Sequence, residues 1–263
     1  MLEPRIIPCL LVRNRGLVKT VAFKDDKYVG DPINAVKIFN EKRVDELIIV
    51  DIDATRLGKE PDLRMIENVA AECRMPLCYG GGIKSASQAA RIFALGVEKI
   101  AVSSGCIEQP GLVRAMADEV GSQSVVAVLD VKKKRFFGGY EVWTHNGTRN
   151  TKLEPERLVD QLQAQGIGEL VINSIDRDGS GAGYDLGLID SLFPRLSVPV
   201  TVLGGAGSLA HIQEVIRRFG TLGVAAGSLF VFKGKFRAVL ISYPTREEKQ
   251  SLCGPTPQAA VTR

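Results

Sequence analysis

An internal repeat constrains the fold of this chain more than any other feature. Two pairs of segments recur at an offset of 123 residues, and a third pair recurs at 124. Residues 6–12 also align, more loosely, with residues 125–131. Two similar halves in the same order predict one fold with internal two-fold symmetry. The three clear pairs are 46–63 with 169–186, 76–85 with 199–208, and 96–105 with 220–229.

Strands and helices alternate in each half. Short apolar, β-branched runs have the length of strands that are buried on both faces, as at 47–52, 99–102 and 170–173. Between them, apolar residues recur every three or four positions, as in amphipathic helices. Eight such units in 263 residues predict an α/β fold, a (β/α)8 TIM barrel that forms a single domain over residues 1–243. An open doubly wound sheet is the competing architecture, but it would not repeat its second half so faithfully.

Composition excludes several classes of protein. With 45% hydrophobic residues and a net charge of +4, the chain can build one large core but is too weakly basic to indicate nucleic-acid binding. A basic stretch at 132–151 contains two glycine turns and predicts a small hairpin after strand 5. The chain has no long apolar run and no signal peptide, so we expect no membrane span and a cytoplasmic location. Polar residues 244–263 predict a disordered tail.

Metal and cofactor sites are not indicated. The five cysteines lack metal-ligand spacing, and their odd number favours free thiols. Since the chain has only two histidines, we expect no histidine-based metal site, and no cofactor is predicted. The cysteines are Cys9, Cys73, Cys78, Cys106 and Cys253.

Each half of the chain offers one candidate phosphate site, in the loops after its third and fourth strands. Active sites of such barrels lie at the carboxyl ends of the strands, where glycines let backbone N–H groups approach an anion. Helix N-termini there also favour negative charge. A substrate with phosphates at opposite ends would fit two such sites, although glycines can also serve only tight turns. The candidates after strands 3, 4, 7 and 8 are Gly81, Gly82, Ser103, Ser104, Gly204, Gly205, Gly227 and Ser228.

Aspartates at strand ends are the candidate acids and bases. A carboxylate in a partly desolvated barrel mouth can transfer protons with a shifted pKa, although each could also cap a helix or form a salt bridge. Asp130 closes the otherwise apolar strand VVAVLD, and its partner in the repeat is Leu11. One member of the expected acid pair is therefore replaced. The other candidates, after strands 2 and 6, are Asp51, Asp53, Asp176 and Asp178.

The joint pattern of motifs resembles the cyclase subunit of imidazole glycerol phosphate synthase, the HisF family. The motifs are RIIPCL, GLVK, GDP, DELIIVDIDA, GGGI, INSIDRDGSGAGYD and GGAG, and they cover the chain up to the tail. The resemblance implies a barrel that uses ammonia from a glutaminase partner. It would convert a formimino-AICAR bisphosphate to imidazole glycerol phosphate plus AICAR ribotide. Asp130 would be one of two catalytic aspartates, and Lys19, on a mobile loop after strand 1, would help to close the site. Asp176 is a further catalytic candidate because of its position at the end of strand 6.

Leu11 occupies the position of the other catalytic aspartate of that family. A leucine cannot transfer a proton, so its loss should cost on the order of 10²–10⁴-fold in rate. The neighbouring sequence PCLLVRNRGLVKT resembles a paralogous branch associated with surface-polysaccharide (lipopolysaccharide O-antigen) genes, in which ammonia converts a sugar acetamido group to an acetamidino group. Three functions stay open: the histidine-pathway cyclase, this amidination, and a non-catalytic barrel that activates a glutaminase. A HisA-type isomerase would also need the missing aspartate.

The opposite end of the barrel carries four charged residues of alternating sign. Arg5, Glu46, Lys99 and Glu169 begin strands 1, 2, 4 and 6. The resemblance implies that they form an ammonia gate facing a HisH-like glutaminase, and a salt-bridged plug is the alternative. The long basic segment 13–30 suits a lid over an anionic, phosphorylated substrate, or a plain solvated loop.

Overall fold

The computed structural model describes residues 3–135 and 138–253. Helices and strands alternate along these residues, with single 3₁₀ turns at Ser122–Ser124 and Phe193–Arg195. The strands are β1 (Arg5–Arg13), β2 (Gly16–Val21), β3 (Lys24–Gly30), β4 (Leu47–Asp51), β5 (Leu77–Gly80), β6 (Lys99–Val102), β7 (Val125–Lys133), β8 (Tyr140–Thr144), β9 (Arg149–Asn150), β10 (Glu169–Ser174), β11 (Val200–Leu203), β12 (Gly223–Ala226), β13 (Phe232–Lys233) and β14 (Ala238–Val239). The helices are α1 (Pro32–Glu41), α2 (Leu63–Glu72), α3 (Ala86–Ala94), α4 (Ser104–Glu108), α5 (Leu112–Val120), α6 (Pro155–Gln165), α7 (Leu186–Leu192), α8 (Leu209–Phe219), α9 (Ser228–Val231) and α10 (Arg246–Cys253).

Eight of the strands form a closed parallel barrel. They pair in the order β1, β4, β5, β6, β7, β10, β11 and β12, and β12 pairs in parallel with β1 to close the ring. Helices follow the barrel strands and cover the outside, which confirms the predicted (β/α)8 barrel. Within the described residues, no helix is long and apolar enough to cross a membrane.

Alternation along the strands creates two separate cores. On β1, Ile6 and Leu10 face the helices, whereas Ile7 and Cys9 face the inside of the barrel. The inner core contains several small side chains, and this leaves a narrow apolar interior between the two ends of the barrel. Its buried members are Ile7, Cys9, Ile48, Cys78, Ala101, Val126, Val171 and Ala225.

The internal repeat is preserved in the backbone angles of matching helix caps. Asp62 and Asp185, at the N-termini of α2 and α7, have φ/ψ of −77°/86° and −80°/84°. Ser85 and Ser208 cap α3 and α8 with φ/ψ of −151°/156° and −155°/164°. Each of the four side chains accepts a hydrogen bond from the backbone N–H three residues later, which satisfies a donor that the helix cannot. The two halves are therefore built alike at the level of single turns.

Three hairpins extend the barrel at the carboxyl ends of its strands. The β2–β3 hairpin follows β1, so most of the predicted lid segment 13–30 is regular structure. The β8 strand pairs antiparallel with the end of β7, which confirms the hairpin predicted at 132–151. The β13–β14 hairpin follows β12 and the short helix α9. All three lie on the face where the sequence predicts the active site.

The prediction of a disordered tail from residue 244 is wrong for Arg246–Cys253, which forms helix α10 and packs against α8. Leu252 is buried, and Lys249 forms an ion pair with Asp45. The hydroxyl of Tyr243, just before the tail, donates to the Ile6 carbonyl at 2.8 Å. This helix is not recognisable in the sequence because the segment is mostly polar. It is held by one buried apolar residue, Leu252, and by the ion pair of Lys249. Residues 254–263 lie outside the described residues.

We predict that Tyr243→Phe destabilises the protein by about 1–2 kcal/mol, because the buried Ile6 carbonyl and Asp45 lose a hydrogen-bond partner. Urea unfolding followed by circular dichroism would measure this. Tyr28→Phe is the matched control, since Tyr28 is 66% exposed. Equal effects of the two substitutions would show that the Tyr243 hydroxyl does not anchor the C-terminal segment.

Candidate functional site

A pocket with a cavity volume of about 130 Å³ opens at the carboxyl ends of the barrel strands. Its lining comes from every one of the eight barrel strands or from the loop that follows it. Carboxylate, amide, hydroxyl and ammonium groups from distant parts of the sequence meet there. The polar side chains that line it are Lys19, Thr20, Asp51, Thr55, Ser103, Ser104, Asp130, Asn146, Asn173, Asp178 and Ser228.

Asp130 is the best placed acid or base in this pocket. Ser103 Oγ donates to its carboxylate at 3.0 Å, and Asn173 Nδ2 donates at 2.9 Å. Burial raises the pKa of Asp130 to about 6, although these two hydrogen bonds act in the opposite direction. A carboxyl group that titrates near neutral pH can both accept and release a proton during a reaction.

Leu11 lies in the same pocket and contributes an apolar wall. It pairs with Val50 in the β1–β4 ladder, and the two side chains pack with Val128 and Leu203 on the upper end of the inner core. The strand position that matches Asp130 in the repeat therefore presents hydrocarbon to the pocket. Proton transfer from this position is not possible.

The structure corrects the choice of acid after β10, the sixth strand of the barrel, because Asp178 and not Asp176 enters the pocket. Asp178 lines the pocket and accepts from Thr20 Oγ1 at 3.3 Å. Burial raises the pKa of Asp178, and the charge of Lys19 opposes that shift. Asp176 is exposed outside the pocket, where its carboxylate accepts from the Lys133 backbone N–H at 2.8 Å. Asp176 therefore holds the loop after β10 against the β7 hairpin. The path of that loop decides that Asp178 enters the pocket and that Asp176 stays outside it.

The β2–β3 hairpin is folded over the pocket as a closed lid. Lys19 is buried, and its Nζ donates to the Cys9 carbonyl. Burial lowers the pKa of Lys19, while the neighbouring Cys9 and Asp178 act in the opposite direction. The lid is held at its tip by the Ala22 N–H, which donates to the Asp178 carbonyl at 2.9 Å. The lid interpretation of segment 13–30 therefore fits the geometry.

Gly204 and Gly205 do not line the pocket that contains Asp130, and their assignment to a phosphate site stays a prediction. Both have positive φ, and a Cβ on either would overlap a backbone carbonyl, that of Ser174 or that of Gly183. Their absent side chains serve close packing of one loop on another. This is the tight-turn role that the sequence also allowed.

The matching glycines of the first half pack in the same way but also line the pocket. A Cβ on Gly81 would overlap the Asp51 carbonyl, and one on Gly82 would overlap the Lys59 carbonyl. The other predicted phosphate residues, Ser103, Ser104, Gly227 and Ser228, also line the pocket.

Ser103 and Gly227 show that the loops after β6 and β12, the fourth and eighth strands of the barrel, have the same backbone conformation. Their φ/ψ angles are −104°/−80° and −102°/−76°. A serine and a glycine thus share one unusual conformation, and each precedes a short helix. The pocket therefore has two matching loops on its rim, one from each half.

The four charged residues at the other end of the barrel form a closed ring of ion pairs. Arg5 pairs with Glu46 and, at 2.7 Å, with Glu169, while Lys99 Nζ lies 2.8 Å from Glu46 and 2.9 Å from Glu169. Burial alone would raise the pKa of Glu169, but the hydrogen bond and charge of Arg5 and the charge of Lys99 hold it below its ordinary value. Each acid of the ring thus contacts both bases.

Two polar residues of the barrel interior were missed by the sequence analysis. Asn173 positions the Asp130 carboxylate, and Thr201 Oγ1 donates to Glu169 at 2.6 Å in the ion-pair ring. Both are polar residues within apolar barrel strands, the same signal that identified Asp130. That signal could have found them.

The cysteines with described side chains are free thiols, as predicted: Cys9, Cys73, Cys78 and Cys106. Across residues 3–135 and 138–253, no cluster of three or more histidine, cysteine, aspartate or glutamate side chains could hold a metal ion.

The sequence model of the histidine biosynthesis protein family matches residues 5–237. The imidazole glycerol phosphate synthase subunit HisF of Caulobacter vibrioides is 35% identical over 232 residues, covering 88% of this chain and 89% of the relative. The chain belongs to the HisF family. It is thus a HisF-like imidazole glycerol phosphate synthase subunit.

Other members of the HisF family are more similar to this chain. A Leptospira borgpetersenii protein named "Putative imidazole glycerol phosphate synthase subunit HisF" is 55% identical over 252 residues, covering 96% of this chain and 99% of the relative. A Pseudomonas aeruginosa relative whose name ends in hisF2 is 53% identical over 244 residues, covering 93% and 97%. The chain therefore shares more of its sequence with these relatives than with the Caulobacter subunit.

We predict that Asp130→Asn stabilises this HisF-family chain at pH 8 by up to about 3 kcal/mol. Because burial raises the pKa of Asp130 from 3.8 to about 6, the folded state holds the proton more tightly than the unfolded state. The wild-type protein thus loses stability from this group as the pH rises through about 6, and the gain from Asn should shrink towards pH 4. Asn173 Oδ1, which has no partner in the described structure, can accept from the new amide.

Urea unfolding of both proteins at pH 4.5 and pH 8 would measure this effect. Asp118→Asn is the control, since Asp118 is exposed on α5. A stability difference for Asp130→Asn that is the same at both pH values would contradict the prediction.

Proposed function

We propose that this chain is the ammonia-using barrel of a glutamine amidotransferase complex. A HisH-type glutaminase would dock on the face that carries the ion-pair ring. Ammonia would then react at the opposite end, in the pocket that contains Asp130. The observation that carries the proposal is the placement of these two features at the two ends of one narrow barrel interior.

The interior between the two ends favours passage of a small neutral molecule. Its side chains include Cys9, Cys78, Ala101 and Ala225, and none of the inner-core residues is charged. Ammonium would pay a desolvation cost there that neutral ammonia avoids. Passage requires Lys99 to leave Glu46 and Glu169, since these ion pairs close the entrance. The ring therefore serves as the gate, and its intact ion pairs are the closed state.

Asp130 is the group that would move protons in the reaction. Its carboxylate removes a proton as the nitrogen of ammonia forms a bond to carbon, and it can return that proton to a leaving group. Ser103 and Asn173 fix the orientation of the carboxylate. Lys19 and the lid exclude water, and Asp178 anchors the lid in its closed position.

Leu11 makes the standard HisF reaction a poor fit to this pocket. The conversion of the formimino-AICAR bisphosphate needs an acid and a base, and Asp130 has no second carboxylate at the matching strand position. We therefore propose that the chain retains ammonia use while its acceptor differs. A second candidate function is amidination of an acetamido sugar. It is favoured by the wall of Leu11, Val50, Val128 and Leu203, because this hydrocarbon surface suits an acetamido methyl group.

We predict that the wild-type protein, supplied with the formimino-AICAR bisphosphate and ammonium salt, forms AICAR ribotide at least about 10²-fold more slowly than its Leu11→Asp variant. The reason is that Leu11→Asp restores a proton-transfer group to the pocket. Release of AICAR ribotide can be followed by chromatography. Leu11→Asn is the matched control, since it adds polarity of similar size without a titrating group.

Equal rates for wild type and Leu11→Asp would refute the assignment of Leu11 as the cause of impaired cyclisation. Turnover by wild type at the rate of an ordinary HisF subunit would refute the proposal of a different acceptor. The second candidate function is tested by incubating the protein with an acetamido sugar, glutamine and the glutaminase. Mass spectrometry would show whether the carbonyl oxygen of the acetamido group is replaced by NH.

We also predict that a HisH-type glutaminase forms a one-to-one complex with this barrel and hydrolyses glutamine faster in that complex. Size-exclusion chromatography and glutamate release measure the two effects. The Leu11→Asp variant should behave like wild type, because Leu11 lies at the end of the barrel away from the ion-pair ring. If the two proteins form no complex and the rate of glutamine hydrolysis is unchanged, the proposed docking is contradicted.

A further inference from the structure

The hairpin that follows the last barrel strand brings an arginine to the rim of the pocket. Arg237 lies in the turn between β13 and β14, and its Nη2 donates to Ser228 Oγ at 3.4 Å. Its guanidinium carbon lies 4.6 Å from the ring centroid of Phe232, so the side chain is stacked on that ring. Because Ser228 lines the pocket, Arg237 reaches the edge of the site from outside it.

Arg237 lacks a carboxylate partner. In residues 3–135 and 138–253, no aspartate or glutamate oxygen lies within 4.0 Å of its guanidinium. Some other arginines on the surface of the barrel are paired, as Arg195 is with Asp160 and Arg218 with Asp190. Arg237 therefore retains donors for an anion that the protein itself does not supply.

Two lysines add positive charge to this corner, Lys27 in contact with Arg237 and Lys19 at the adjoining Gly227. Lys27 Nζ donates to the Arg237 carbonyl at 3.1 Å and lies 5.2 Å from the centroid of Phe232, the ring on which Arg237 is stacked. Lys19 Nζ is packed against Gly227 so closely that a Cβ there would overlap it. Like charges this close repel one another, and an anion between them would offset that cost.

The matching corner of the first half has no such charge. There, the Ser104 hydroxyl accepts from the backbone N–H of His145 at 3.1 Å, whereas Ser228 accepts from a guanidinium. Among the described residues, Lys19 is the one cation that lines the pocket, and it lies at the Gly227 corner. The two loops share backbone geometry, so the difference between them is electrostatic.

We propose that Arg237 is a substrate-binding residue that, together with Lys19, holds a doubly charged phosphate of the acceptor at Gly227–Ser228. This rests on the proposed function, in which the pocket takes the acceptor of ammonia, and it adds that this acceptor carries a phosphate. A guanidinium presents two parallel N–H donors that match two phosphate oxygens, and Ser228 would supply a third hydrogen bond. Lys27 links Arg237 to the β2–β3 lid, so closure of the lid and binding of the phosphate support each other.

Inorganic phosphate at pH 8, where it is mainly a dianion, is the probe for this site. We predict that Arg237→Gln binds phosphate about tenfold or more weakly than wild type in isothermal titration calorimetry, because one charged hydrogen-bonding group is lost. Arg237→Lys should retain part of the affinity, since it keeps the charge but not the paired donors. Lys235→Gln is the matched control on the same hairpin, since Lys235 is exposed there.

Chemical modification of the wild-type protein gives a second measurement that does not depend on the folding of a variant. Phosphate should protect Arg237, but not Arg217 on α8, from an arginine-specific dicarbonyl reagent, as mapped by mass spectrometry. Unchanged phosphate affinity in Arg237→Gln, equal loss in Lys235→Gln, or modification of Arg237 unaffected by phosphate would overturn the proposal. Neither measurement involves ammonia or a glutaminase, so its failure is distinguishable from failure of the proposed function.

Discussion

The parallel pairing of β1 with β12 is the contact on which the rest of the structure depends. It joins Arg5 to Gly223 and Pro8 to Ala226 and turns an open sheet into a ring without exposed edges. Closure places one end of every barrel strand around the pocket and the other end around the ion-pair ring. It also encloses the inner core of apolar side chains, which separates the two polar ends. A ring that failed to close would have neither site.

The scaffold is symmetric, whereas the chemistry is not. Helix caps of the two halves agree in φ and ψ to within 8°, and the loops at Ser103 and Gly227 share one conformation. On this repeated frame, Asp130 faces the pocket from one half and Leu11 from the other. Positive charge is also distributed unequally, since Arg237 and Lys19 both lie at the loop that contains Gly227. Backbone packing tolerates little variation between the halves, while a side chain that points into an open pocket can change without affecting the fold.

Much of the site could be predicted from sequence, and each miss has a tertiary cause. A carboxylate that closes an apolar strand needs a reason, and this argument identifies Asp130. The four charges of the ring follow from their positions at the beginning of barrel strands and from the family resemblance. Asp176 and Asp178 both follow one strand, and only the turn of the loop decides which carboxylate enters the pocket. The close packing of Gly204 and Gly205 depends on the Ser174 and Gly183 carbonyls, which are distant in sequence. Helix α10 escaped notice because its stability comes from contacts with α8 and Asp45.

By itself, the sequence determined the repeat, the order of strands and helices, and therefore the closed barrel with an active face at the carboxyl ends of its strands. Periodicity and repetition are local properties, so they can be read along the chain. Tertiary structure alone decided which polar groups meet: Asn173 with Asp130, Thr20 with Asp178, and Arg237 with Ser228. Their hydrogen bonds and the burial around them depend on distances in space, and closing the barrel sets those distances.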